Sequence, residues 1–114
     1  MATIEPRVIY QVTDFERARD FYTRVLGFAE MFVDFDEPWA TLTRGDMHIA
    51  LTTGEPDPNG GVAMVDVPDV KAEAARLRGD GHHVGTVIEL ARQLRLVDVF
   101  DPDGNRIQLS QPLE

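Results

Sequence analysis

The chain has 114 residues, 43% of them hydrophobic, and no cysteine, which is the make-up of one globular domain with no disulfide framework. Twenty acidic against eleven basic residues give a formal charge of −9, which removes the electrostatic drive toward nucleic acid. No apolar run approaches the roughly 20 residues that cross a bilayer, and the MATIEPRVIY start lacks the basic and apolar stretches of a secretory signal, so a cytoplasmic protein with no membrane partner is expected.

RVIYQVTD alternates as a strand does, and Asp14 then precedes Phe15, Ala18, Tyr22, Val25 and Leu26 at helical spacing. Asp14 reads as the N-cap of a helix over about 15–26, with Gly27 as its left-handed stop. FAEMFVDF and WATLT read as two strands, and TRGD turns into a third, MHIALT. GEPDPNGG, rich in proline and glycine, breaks any sheet and reads as a linker over 54–60.

The order then repeats. VAMVDV is a strand, Asp69 a cap, VKAEAARLRGDG a helix and its stop, and VGTVIEL, QLRLVDVF and RIQLSQ are strands. VTDFERA matches VPDVKAE with Asp14 over Asp69, and TRGDMHIAL matches DPDGNRIQL, each with a turn glycine. Two βαβββ modules, about 4–53 and 61–111, each leave one apolar sheet face uncovered. The expected α+β domain has the halves facing one another around a cavity in a curved mixed sheet.

This tandem pattern, with DFERARDFYTRVLGF after the first strand and DPDGNRIQL near the end, resembles the vicinal-oxygen-chelate superfamily of glyoxalases, extradiol dioxygenases and bleomycin-resistance proteins. The resemblance spans nearly the whole chain. It implies a homodimer that completes its pockets across a subunit interface. It also implies either metal-dependent chemistry or drug sequestration without chemistry, since the fold hosts both.

In the metalloenzymes of that superfamily each module offers ligands from its first and last strands. The corresponding positions here are Arg7, Ala50, Val62 (or Gly61 if the register slips by one) and Gln108. Arginine stays protonated, alanine and valine have no lone pair, and a lone glutamine oxygen is a weak ligand. No metal and no cofactor is therefore expected.

Alternation places Arg7, Ile9 and Gln11, then Val62 and Met64, then Arg106 and Gln108 along the cavity. His48 shares its strand face with Ala50 and reads either as a polar ligand contact or as a base. Glu89 stands as the one acid of its strand, of undetermined facing. His82 and His83 follow a helix stop and read as solvated. Phe28, Phe32, Phe35 and Trp39 surround the second and third strands, as core or as stacking groups for a planar ligand, with Trp39 and Phe35 taken into the candidate site. Asp34, Asp36 and Glu37 alongside them suit a cation or a solvated edge.

The ligand-binding set is thus Arg7, Ile9, Gln11, Phe35, Trp39, His48, Ala50, Val62, Met64, Arg106 and Gln108. The leading expectation is a metal-independent binder of a planar or cationic natural product, of the antibiotic-resistance type. The alternative is a metal-free isomerase, cyclase or lyase using Arg7, His48 or Glu89, and a metal-dependent glyoxalase or dioxygenase ranks behind both.

Overall fold

The computed structural model describes residues 6–57 and 59–113; the expected start of the first module near residue 4 and Pro58 of the linker lie outside them. In chain order it has β1 (Val8–Val12), α1 (Phe15–Asp20), β2 (Ala29–Asp34), β3 (Trp39–Arg44), β4 (Met47–Thr53), β5 (Ala63–Asp66), α2 (Val70–Gly79), β6 (Ile88–Leu90), β7 (Leu94–Phe100) and β8 (Arg106–Pro112). The strands form two four-stranded mixed sheets of identical order, β1-β4-β3-β2 and β5-β8-β7-β6. In each, the first strand runs parallel to the fourth and the remaining pairs are antiparallel.

The two caps behave alike. Asp14 accepts the amide of Arg17 and Asp69 that of Ala72, both at 3.0 Å, so each carboxylate satisfies a donor with no partner inside its helix. The first helix departs from the expected 15–26: its regular part ends at Asp20, and the chain widens so that the Leu26 amide reaches the Phe21 carbonyl, five residues back. That wider turn keeps both Phe21 and Tyr22 buried. Gly27, at φ +75°, then reverses the chain into β2.

Period-two alternation sorts each strand. Tyr10, Val12, Ile49, Leu51, Val65, Ile107, Leu109, Val97 and Val99 point toward the helices and join Phe15, Leu26, Val70 and Leu77 in one core shared by both modules. The expected strand VGTVIEL is shorter than its sequence suggests: only Ile88–Leu90 pairs continuously, and Val84 makes a single bridge to Val99.

The halves join side by side along a seam and do not face one another. Tyr10, on β1, donates its hydroxyl to the Arg106 carbonyl (2.6 Å) and accepts the Ala63 amide (2.8 Å). Asn105 Nδ2 donates to the Gln11 carbonyl (2.9 Å), and Arg44 pairs with Glu73 of α2 (2.8 Å). These contacts fix the modules through polar groups at the seam, where the shared helix-side core already buries the apolar area. Both opposite faces consequently stay open: Ile9, Phe32, Met64, Ile88 and Leu90 are each between 43% and 56% exposed.

Candidate functional site

The open face of the first sheet follows from its register. Ile9, Ala50, Thr41 and Phe32 form one cross-strand row, and Gln11, Thr52, Trp39 and Asp34 the next. His48 lies opposite Thr43, and its carbonyl accepts the Arg7 amide at 2.8 Å. Ala50 is fully buried at the floor of its row. This face is rich in hydroxyl and amide groups, with Phe32 and Trp39 as aromatic walls.

The open face of the second sheet carries Met64, Gln108 and Asp98 in one row, and Asp66, Ser110 and Leu96 in the next. Ile88 stands opposite Leu96, Leu90 opposite Leu94, and Arg106 opposite Phe100. The carboxylates here are built in: Ser110 Oγ donates to Asp66 (2.7 Å), and Gln108 Nε2 donates to Asp98 (3.1 Å), whose other oxygen receives Arg106 (3.4 Å).

Three hollows mark this side of the molecule. The largest, about 600 Å³, lies on the seam between Ile9 and Gln11 of β1, Asp98 and Phe100 of β7, and Asn59 and Gly61 of the linker. A second, about 340 Å³, is walled by Trp39, Thr52, Asp34 and Glu37. The third, about 330 Å³, holds Arg7 beside Met64 and Asp66. The linker is thus part of the site as well as a tether. A Cβ on Gly54 would stand 2.5 Å from Gln11 Oε1, so the glycine makes room for that side chain.

Of the expected site residues, Arg7, Ile9, Gln11, Trp39, His48, Ala50, Val62, Met64, Arg106 and Gln108 lie on one or other open face or line one of these three hollows. Two expectations are corrected. Phe35 lies beyond a β-bulge between Glu30 and Phe32 that shifts the alternation, and its ring sits 5.0 Å from the Arg19 guanidinium of α1, on the helix side. Glu89 also faces away from the open side, where Arg95 hydrogen-bonds it and holds its carboxyl below the usual range. It is unavailable to the cleft as a base. Phe28 packs edge-on against Tyr22 in the core.

Other residues were not foreseen. Asp98 and Phe100 line the seam hollow, and alternation within LRLVDVF could have found both, since Val97 and Val99 must point inward. His83 is exposed but not merely solvated: it stacks on Phe100 at 4.4 Å, and His82 meets Phe21 edge-on.

The glyoxalase/bleomycin resistance protein/dioxygenase superfamily matches residues 6–109. The chain belongs to that superfamily. Among solved structures it is similar to TnmS3, an antibiotic binding protein from Streptomyces sp. CB03234, at 27% identity and TM-score 0.73, covering 98% of each chain. A glyoxalase/bleomycin resistance protein from the same Streptomyces is 26% identical, with TM-score 0.69 over 90% of this chain and 96% of that one. The fosfomycin resistance protein FosX from Listeria monocytogenes shares the fold at 12% identity, with TM-score 0.76 over 97% and 94%. No curated protein sequence matches the chain.

The sequence resemblance assigns metal-ligand positions to Arg7, Ala50, Val62 and Gln108. The residues present do not fit a metal. Arg7 offers only donors, Ala50 and Val62 offer no side-chain lone pair, and the Gln108 amide is turned to Asp98. Among the described residues no three His, Cys, Asp or Glu side chains are grouped to hold an ion. None of the described helices is long and apolar enough to cross a membrane.

Proposed function

We propose that this superfamily member is a metal-independent binding protein that sequesters a planar natural product of the antibiotic class in its cleft. The observation that carries the reading is the composition of the open side. Half-exposed Ile9, Phe32, Met64, Ile88 and Leu90 lie there with Trp39, Asp66, Asp98, Thr41, Thr43 and Thr52. Such a surface grips an aromatic body by stacking and its polar edge by hydrogen bonds. Among the described residues the open side brings together no nucleophile with a base and an orienting partner, and its lining suits holding a ligand. The likeness to TnmS3 over nearly all of both chains supports the same reading.

Retention follows mass action, with free drug lowered in proportion to protein above the dissociation constant. The open apolar faces also support a homodimer in which a second copy covers part of them, and light scattering of the eluted protein would measure its mass.

The test is titration of Trp39 fluorescence with bleomycin and with mitomycin C, in the presence of a chelator, followed by chromatography of the recovered compound. Binding of at least one compound, its recovery unchanged, and an affinity loss of about tenfold in Trp39→Ala are expected. Conversion of the bound compound would instead support the metal-free enzyme, for which Arg7 and His48 remain on the open face. Absence of binding would contradict the sequestration reading.

A further inference from the structure

The seam cavity has a chemistry of its own. Asp98 and Phe100 are two residues apart on β7, so both project from the same strand face about 7 Å apart. The Phe100 ring is held by the parallel imidazole of His83 at 4.4 Å. Asp98 is oriented through one oxygen by Gln108, while its other oxygen meets the Arg106 guanidinium at 3.4 Å. That last contact is long and its arginine is 49% exposed, and such pairs contribute little to stability. With Asp57 the cavity carries two carboxylates against one guanidinium.

A carboxylate beside an aromatic shelf, fixed from behind and met from the front by a loosely held guanidinium, is a receptor for a planar cation. We propose that the seam cavity seats an amidinium or guanidinium arm of the ligand, with Asp98 as its counter-ion and Phe100 as its shelf. Arg106 occupies the carboxylate until the ligand displaces it. The proposal rests on the reading of the cleft as a binding site and names the chemistry of one end of its ligand.

The probe is 4′,6-diamidino-2-phenylindole, a flat aryl amidine, titrated by fluorescence into the full chain, with the flat anion 1-anilinonaphthalene-8-sulfonate as its counterpart. Asp98→Asn, which keeps the shape and can still accept from Gln108, weakens the amidine by about tenfold. Arg106→Gln tightens it by about threefold by removing the competitor, an opposite sign that a misfolded variant would not give. Asp80→Asn, the same charge change at the exposed C-cap of α2, alters affinity by less than about twofold. Equal effects of Asp98→Asn and Asp80→Asn, weaker binding in Arg106→Gln, preference for the sulfonate, or no amidine binding would each overturn the subsite. Bleomycin or mitomycin C bound and recovered unchanged would leave the sequestration reading standing in any of those cases.

Discussion

Tyr22 and Asp101 meet across the seam, the buried phenol donating to Asp101 Oδ2 at 2.8 Å from 79 residues away. The same carboxylate accepts the amides of Asp103 and Asn105 and the Asn105 side chain. It therefore shapes the turn before β8 and ties it to α1's end. Asp101→Ala strands all of these donors and should cost about 3 kcal/mol, whereas Tyr22→Phe removes one bond and should cost about 1 to 2 kcal/mol. Urea denaturation of the two variants measures both, and a smaller loss in Asp101→Ala than in Tyr22→Phe would contradict this account of the seam.

The two tyrosines also set the alkaline limit. Burial pushes Tyr10 up to about 12, partly offset by the Ala63 amide, and burial followed by the Asp101 charge raises Tyr22 well above the usual 10. A phenol whose folded pKa exceeds its unfolded value contributes fully below pH 10 and loses that contribution as pH rises toward the folded value. For Tyr10 the displacement corresponds to about 3 kcal/mol, lost between about pH 10 and 12. Stability by urea should be flat from pH 8 to 9.5 and fall above pH 10. Tyrosinate absorbance that appears near pH 10 while the protein remains folded would contradict the burial argument.

The β6–β7 turn offers a stabilising substitution. Ala91 and Arg92 adopt φ of +50° and +56°, where the Gln93 amide closes onto the Leu90 carbonyl. This left-handed pair suits Asn-Gly far better than two ordinary side chains. The double change Ala91→Asn with Arg92→Gly should raise stability by roughly 1 to 2 kcal/mol and lift the melting temperature. An unchanged or lower melting temperature would count against it.

Gly54 makes a subtler prediction. Its missing Cβ leaves room for the tip of Gln11, a flexible side chain, so Gly54→Ala should cost less than about 1 kcal/mol while moving Gln11 within the cleft. Calorimetry of the variant checks the first part. Altered binding of whichever compound titrates the wild type checks the second.

The sequence was most legible where local signals were strongest. The Asp14 and Asp69 caps and the repeat could be read from local signals, and the alternation of β1, β4, β5 and β8 sets which of their residues lie on the open faces. Phe35 enters the expected site as an aromatic with no facing assigned, and the bulge upstream of it is a pairing event between strands, invisible in one strand's alternation. Glu89 failed because three residues of edge strand fix no facing by themselves, and its partner Arg95 is on the neighbouring strand. The side-by-side joining of the modules was hidden because its contacts, Tyr10 with Ala63 and Tyr22 with Asp101, link residues 53 and 79 apart.

The proposed function has this cleft binding its ligand with no metal, Arg7, Ala50, Val62 and Gln108 standing at the positions that the sequence resemblance assigns to metal ligands. The most direct measurement is metal content by inductively coupled plasma mass spectrometry after incubating the purified chain with zinc, manganese and ferrous iron and desalting it. The account predicts no stoichiometric metal and unaltered ligand titration with a chelator present. One tightly held ion per chain, lost together with binding when the chelator is added, would contradict it.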